Sequence, residues 1–139
     1  MSEEEGGGRG GSAVTAYLEE QAALVRSGGY WNCLAAARRL SLLLIAEGRS
    51  PWIARLRKTE RRGGGVFHAP LTPRVPGVRA TWTTHYVCCC DSLAYDPVAG
   101  RAVGLDQYTR EVFGEHIAAE VFVPAAELPA YLAPKRPPE

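Results

Sequence analysis

The stretch CLAAARRLSLLLIAEG, residues 33–48, most constrains what this chain can fold into. It is apolar on nearly every side of a helix, so it predicts a central helix with only the Arg38, Arg39 edge reaching water. Asn32 is a good N-cap and Gly48 a natural stop, which places Cys33 on the first turn. The two arginines also keep the run well short of the roughly 18 apolar residues that span a bilayer. With 139 residues, 46% of them apolar, the chain is long enough to bury such a helix in one domain.

Around that helix the chain reads as α+β. Ser12 can cap an earlier helix in which Val14, Tyr17, Leu18, Ala22 and Val25 recur at helical spacing, stopped by Ser27-Gly28-Gly29. After Pro51 the texture changes to short strands. Residues 52–57 alternate in twos as a half-buried strand does, and residues 66–68 form a weak strand within a glycine- and proline-rich loop covering one edge of the sheet. The β-branched and aromatic run RATWTTHYVCCC predicts a strand over 79–90, and Asp91-Ser92 turns it into another at 93–96, closed by Pro97 to Gly100. Residues 106–113 suit a short helix, 117–123 a strand and 125–132 a terminal helix. Helices first and then an antiparallel sheet is an α+β layout. One domain over 12–133 follows, with residues 1–11 and 134–139 as mobile tails that lack apolar residues to pack.

The net charge of +1 excludes a bulk polycation or polyanion, yet residues 49–79 carry eight basic groups against one acidic. That excess can attract an acidic protein partner, although arginine stems covering apolar surface explain it as well. Glycines and prolines interrupt the block and leave no recognition helix, so nucleic acid is an unfavoured partner. The acidic, glycine-rich amino end is the opposite of a signal peptide. The expected location is cytoplasmic, or outside after delivery by a specialised secretion system, with no membrane partner. Cys88, Cys89 and Cys90 have neither zinc-knuckle nor disulfide-framework spacing and read as core filling on a strand, Cys88 and Cys90 facing one side and Cys89 the other.

Cys33 differs. At the amino end of a helix, the dipole and free first-turn N–H groups favour a thiolate and can hold an oxyanion. A nucleophilic thiolate needs an imidazole to shuttle its proton and a carboxylate or amide to orient the ring. His85 in the strong strand and Asp96 at the end of the next one supply both, because a hairpin brings 85 and 96 to one end of the sheet. Asn32 and Gln21 are candidates for a second oxyanion donor, and Trp31 could wall a substrate channel. Taken singly, a helix-start cysteine is ordinarily packing, a strand histidine a satisfied polar group and Asp-Pro-x-x-Gly a turn. Their joint order is what favours chemistry. His68 and His116 have no assigned role, and Trp82 reads as core.

Asn32-Cys33-(x)3-Ala37, the apolar helix ending Glu47-Gly48, Thr84-His85-Tyr86-Val87 and Tyr95-Asp96-Pro97-Val98-Ala99-Gly100 together resemble the small papain-like fold domains of bacterial toxins, over about residues 30–115. The resemblance implies a papain-like fold and a Cys-His-Asp triad of Cys33, His85 and Asp96. It also implies a peptidase or glutamine deamidase acting on proteins or peptides through a thioester, with no cofactor or metal. Two departures from the family pattern are Val98, where many members have Gln, and Thr84, where many have Gly. Two other readings of the residues stand beside it. One is a non-catalytic interaction protein using the basic 49–79 region; the other is a metal module built from Cys33, His85 and one cysteine of the triplet.

Overall fold

A computed structural model describes residues 11–134. The expected tails fall outside the described residues except at their inner ends, Gly11 and Pro134. Gly11 is held: its N–H donates to Glu47 Oε2 at 2.8 Å. It is also the N-cap of α1 (Ser12–Ser27), so Ser12 is the first helical residue rather than the cap. Val14, Leu18, Ala22 and Val25 form the buried stripe of α1, and Gly28, at φ 79°, ends the helix in the left-handed conformation that glycine adopts without steric cost.

The next helix, α2 (Cys33–Ala46), starts where the sequence places it, with Asn32 Oδ1 accepting the Ala35 N–H at 3.0 Å. It buries Cys33, Ala36, Ala37, Leu40, Ser41 and Leu44. It is not enclosed, however. Ala35, Arg39 and Leu42 face solvent, Leu42 being 43% exposed, and Arg38 lies over the Tyr131 ring at 4.8 Å. The expectation of a central helix is corrected to a helix on one face of a sheet, because among the described residues no later element crosses its outer flank. Leu40 and Leu44 are fully buried, and each contributes about 2 kcal/mol of transfer free energy.

The main sheet contains β1 (Trp52–Leu56), β4 (His85–Cys90), β5 (Leu93–Asp96), β6 (Arg101–Gly104) and β7 (Glu120–Val123) in the order β6-β5-β4-β1-β7, all neighbours antiparallel. The turn at Asp91-Ser92 is as read, both residues taking positive φ (52° and 65°) as a two-residue hairpin requires. Between β1 and β4, β2 (Lys58–Arg62) and β3 (Gly65–Ala69) pair with each other as a separate two-stranded ribbon; β3 contains the strand read at 66–68, and the rest of the ribbon stands where an edge-covering loop was expected.

The strand expected over 79–90 begins only at His85. Its partner β1 ends in register at Leu56↔His85 before the chain turns into the ribbon, so residues 79–84 have no strand beside them; Trp82 instead bridges back to Leu71. Strand β6 was not foreseen. The late elements are shorter than expected: Ile117 donates its N–H to Thr109 Oγ1 ahead of β7, and α4 covers only Leu128–Leu132.

Two cores flank the sheet. One gathers Leu40 and Leu44 of α2, Cys88 and Cys90, and Leu128 and Leu132 of α4; the other gathers Cys89, Val87, Ala94 and Val98 with Tyr108, Val112 and Phe113 of α3 (Leu105–Phe113). The triplet therefore divides between faces as strand alternation requires. Among the described residues no helix is long and apolar enough to cross a membrane.

Candidate active site

His85 opens β4 and Cys33 opens α2, so both stand at the ends of their elements. His85 is fully buried, Asp96 is 1% exposed and Cys33 is 9% exposed. His85 and Val87 share a face of β4, and Ala94 and Asp96 share the corresponding face of β5, which pairs Ala94 with Cys89. The hairpin thus sets Asp96 diagonally against His85, and its Oδ2 lies 2.8 Å from His85 Nε2. Asp96 Oδ1 accepts the Val98 N–H at 2.9 Å, closing the Asp-Pro turn, so the residue serves the turn and the imidazole together.

The other ring nitrogen, Nδ1, is buried and has no hydrogen-bond partner of good geometry among the described residues. Cys33 and the His85 ring act on each other's protonation. Burial pushes the Cys33 thiol up, but the hydrogen-bonding and charge of His85, with a hydrogen bond from the Tyr86 backbone, outweigh it; the thiol rests below its ordinary value. Burial opposes charging His85, yet the Asp96 carboxylate, as charge and acceptor and with help from Cys33, lifts the imidazole to about 10. The two shifts run in the directions that favour moving the proton from thiol to imidazole, and the first-turn position of Cys33 adds the helix dipole.

An aromatic wall surrounds the ring. Trp82 lies 4.6 Å from His85 between centroids, Phe113 5.7 Å and Trp31 6.2 Å. Trp82 is therefore part of the site's wall as well as of the core. A cleft of about 210 Å³ is lined by Trp31 and Trp82 together with Gly28, Gly29 and Arg79. The Trp31 indole N–H donates to Gln21 Oε1 at 2.8 Å, so Gln21 fixes the ring at this wall. Asn32 caps α2, and its Nδ2 is 3.4 Å from the Tyr30 hydroxyl. The chain thus brings His85, Asp96 and Trp31 together with Gln21 behind the tryptophan, sets Cys33 to interact with the ring, and leaves Asn32 exposed at the helix start.

Sequence reasoning missed Tyr108, whose fully buried hydroxyl donates to Asp96 Oδ2. The available signal was the Tyr108, Val112 spacing, an apolar face that has to cover the side of the sheet bearing His85. His68, on the ribbon, and His116, ahead of β7, are both exposed. Cys88, Cys89 and Cys90 stay in the cores, and among the described residues no three His, Cys, Asp or Glu side chains form a group able to hold a metal ion. Of the basic residues at 49–79, Arg49, Arg55, Arg57, Lys58 and Arg62 are ion-paired with carboxylates of this chain. No family model, curated protein or solved structure matches the chain.

Proposed function

We propose that the chain is a papain-like cysteine hydrolase acting on protein or peptide amides, as a glutamine deamidase or a peptidase, in keeping with its resemblance to the papain-fold domains of bacterial toxins. One arrangement carries the reading: a cysteine at a helix mouth acted on by a buried imidazole whose Nε2 is 2.8 Å from a buried carboxylate. Turn, core and strand roles explain each residue alone. They do not explain why, of four thiols that burial raises, this one has an imidazole set against it that outweighs the rise.

In the proposed reaction the Cys33 thiolate attacks the amide carbonyl carbon. The Sγ–C bond forms, and the carbonyl electron pair moves to oxygen, where the Cys33 backbone N–H at the start of α2 helps to hold it. The imidazolium of His85 gives its proton to the leaving nitrogen, the C–N bond breaks and a thioester remains. His85, now neutral, takes a proton from water; the hydroxide attacks the thioester, and the acid and the thiolate–imidazolium pair are regenerated. Asp96 keeps the ring oriented and stabilises its charge throughout. Trp31 and Trp82 exclude water from the imidazole and flank the approach.

The reading is tested by measuring ammonia release and peptide-bond cleavage on protein mixtures, wild type against Cys33→Ala. Activity present in wild type and absent from the variant is expected, and which product accumulates separates deamidase from peptidase. Equal activity in both proteins, or none in either across many substrates, overturns it.

A further inference from the structure

Asp96 Oδ2 accepts two hydrogen bonds, one from His85 Nε2 and one from the Tyr108 hydroxyl. Tyr108 comes from α3 and is sealed from solvent. Its ring is fixed edge-on to Phe113, 6.3 Å between centroids, and Phe113 in turn contacts His85. A core tyrosine needs only some acceptor for its hydroxyl. Here the acceptor is the same oxygen that orients the imidazole, so the phenol and the imidazole compete for one concentration of negative charge.

Resting on the hydrolase reading, we propose that Tyr108 is a positioning residue that tempers the hold of Asp96 on the His85 proton. A carboxylate oxygen that accepts an additional O–H bond is a weaker base and a weaker partner for imidazolium. Without that bond, Asp96 binds the imidazolium more tightly. The acyl-enzyme then waits longer for His85 to become neutral and accept a proton from water. Tyr108 therefore favours the second half of the reaction, while attack by the thiolate proceeds without it. The titratable groups facing the ring are Cys33 from α2 and Asp96 from β5, with Tyr108 from α3 and Cys89 from β4 acting on Asp96.

The test uses the full chain and p-nitrophenyl acetate. Cys33 Sγ bonds to the acetyl carbon, p-nitrophenolate leaves, and water with His85 as base then releases acetate. Tyr108→Phe keeps the ring and removes the donor. It is expected to leave the burst rate within about twofold of wild type at pH 7 and to slow deacylation by about 5- to 10-fold. In parallel, the His85 ring nitrogens, followed by NMR with ¹⁵N-labelled histidine, are expected to titrate about half a pH unit or more higher. Placing 3-fluorotyrosine at 108, a stronger donor of nearly the same shape, is expected to shift both readouts the opposite way, and this variant serves if Tyr108→Phe does not fold. An unshifted titration with unchanged deacylation overturns the inference. Absence of any Cys33-dependent burst in wild type overturns the hydrolase reading instead, and the NMR shift still decides whether Tyr108 tempers His85.

Discussion

The four cysteines make two groups with opposite electrostatics in the same small fold. Cys88, Cys89 and Cys90 lie on a central strand, at most 1% exposed, and burial raises all three thiols, Cys88 to about 12. Ser41 offers Cys88 a hydroxyl at 3.4 Å, which lowers its value too little to compensate. Cys33 is also buried, yet its thiol falls below the ordinary value because an imidazole and a backbone hydrogen bond face it. Desolvation by itself makes a thiol inert. It is the charge facing the sulfur, from another element of the fold, that turns burial into activation.

The largest expected effect is the contrast in reactivity itself. With iodoacetamide at pH 7, Cys33 should alkylate at least about 1,000 times faster than any cysteine of the triplet, as peptide mapping by mass spectrometry would show. Comparable rates at all four positions would erase the distinction. His85→Ala should remove most of it, slowing Cys33 alkylation at pH 6–7 by about 100-fold while the triplet is unchanged. Asp96→Asn should slow Cys33 by about 10-fold and destabilise the fold by about 2 kcal/mol in urea titration, since a buried acceptor loses its charge.

The pH dependence sharpens the contrast from the side of stability. A histidine raised in the folded state, here from 6.5 to about 10, contributes stability that is complete below its unfolded value and is lost as pH rises through about 10. The advantage of wild type over His85→Phe in urea midpoint should therefore be greatest near pH 6 and shrink steadily towards pH 10.5. A flat difference would mean that His85 is neutral in the folded protein. Smallest of all, Arg62→Ala on the ribbon removes an ion pair to Glu60 from an arginine side chain that is 75% exposed. It should change stability by less than about 0.5 kcal/mol and leave Cys33 reactivity untouched.

Much of the site was legible in the residues. Asn32 before an apolar run announced a helix start and put Cys33 on its first turn, and Asp91-Ser92 announced the hairpin that joins the strands of His85 and Asp96. Strand β3 was read at 66–68, but its partner β2 was hidden because Lys58–Arg62 is almost wholly charged and gains strand structure only by pairing with Gly65–Ala69. Strand β6 was hidden because four residues, RAVG, carry too little pattern and are held by β5. The run 79–84 misled for the converse reason: its side chains suit a strand, but no partner extends that far.

The sequence by itself determined the α+β order of elements, the division of the cysteine triplet between two faces, and which cysteine, histidine and aspartate could meet. These follow from local geometry: helix capping, the two-residue period of a strand and the reach of a tight turn. Only the tertiary structure decided that α2 leaves one flank in solvent, that Trp82 and Phe113 wall the imidazole, and that Tyr108 shares an oxygen with His85. Those contacts join residues far apart in the chain. No local pattern encodes them, because they exist only once the sheet has fixed which faces α2 and α3 can cover.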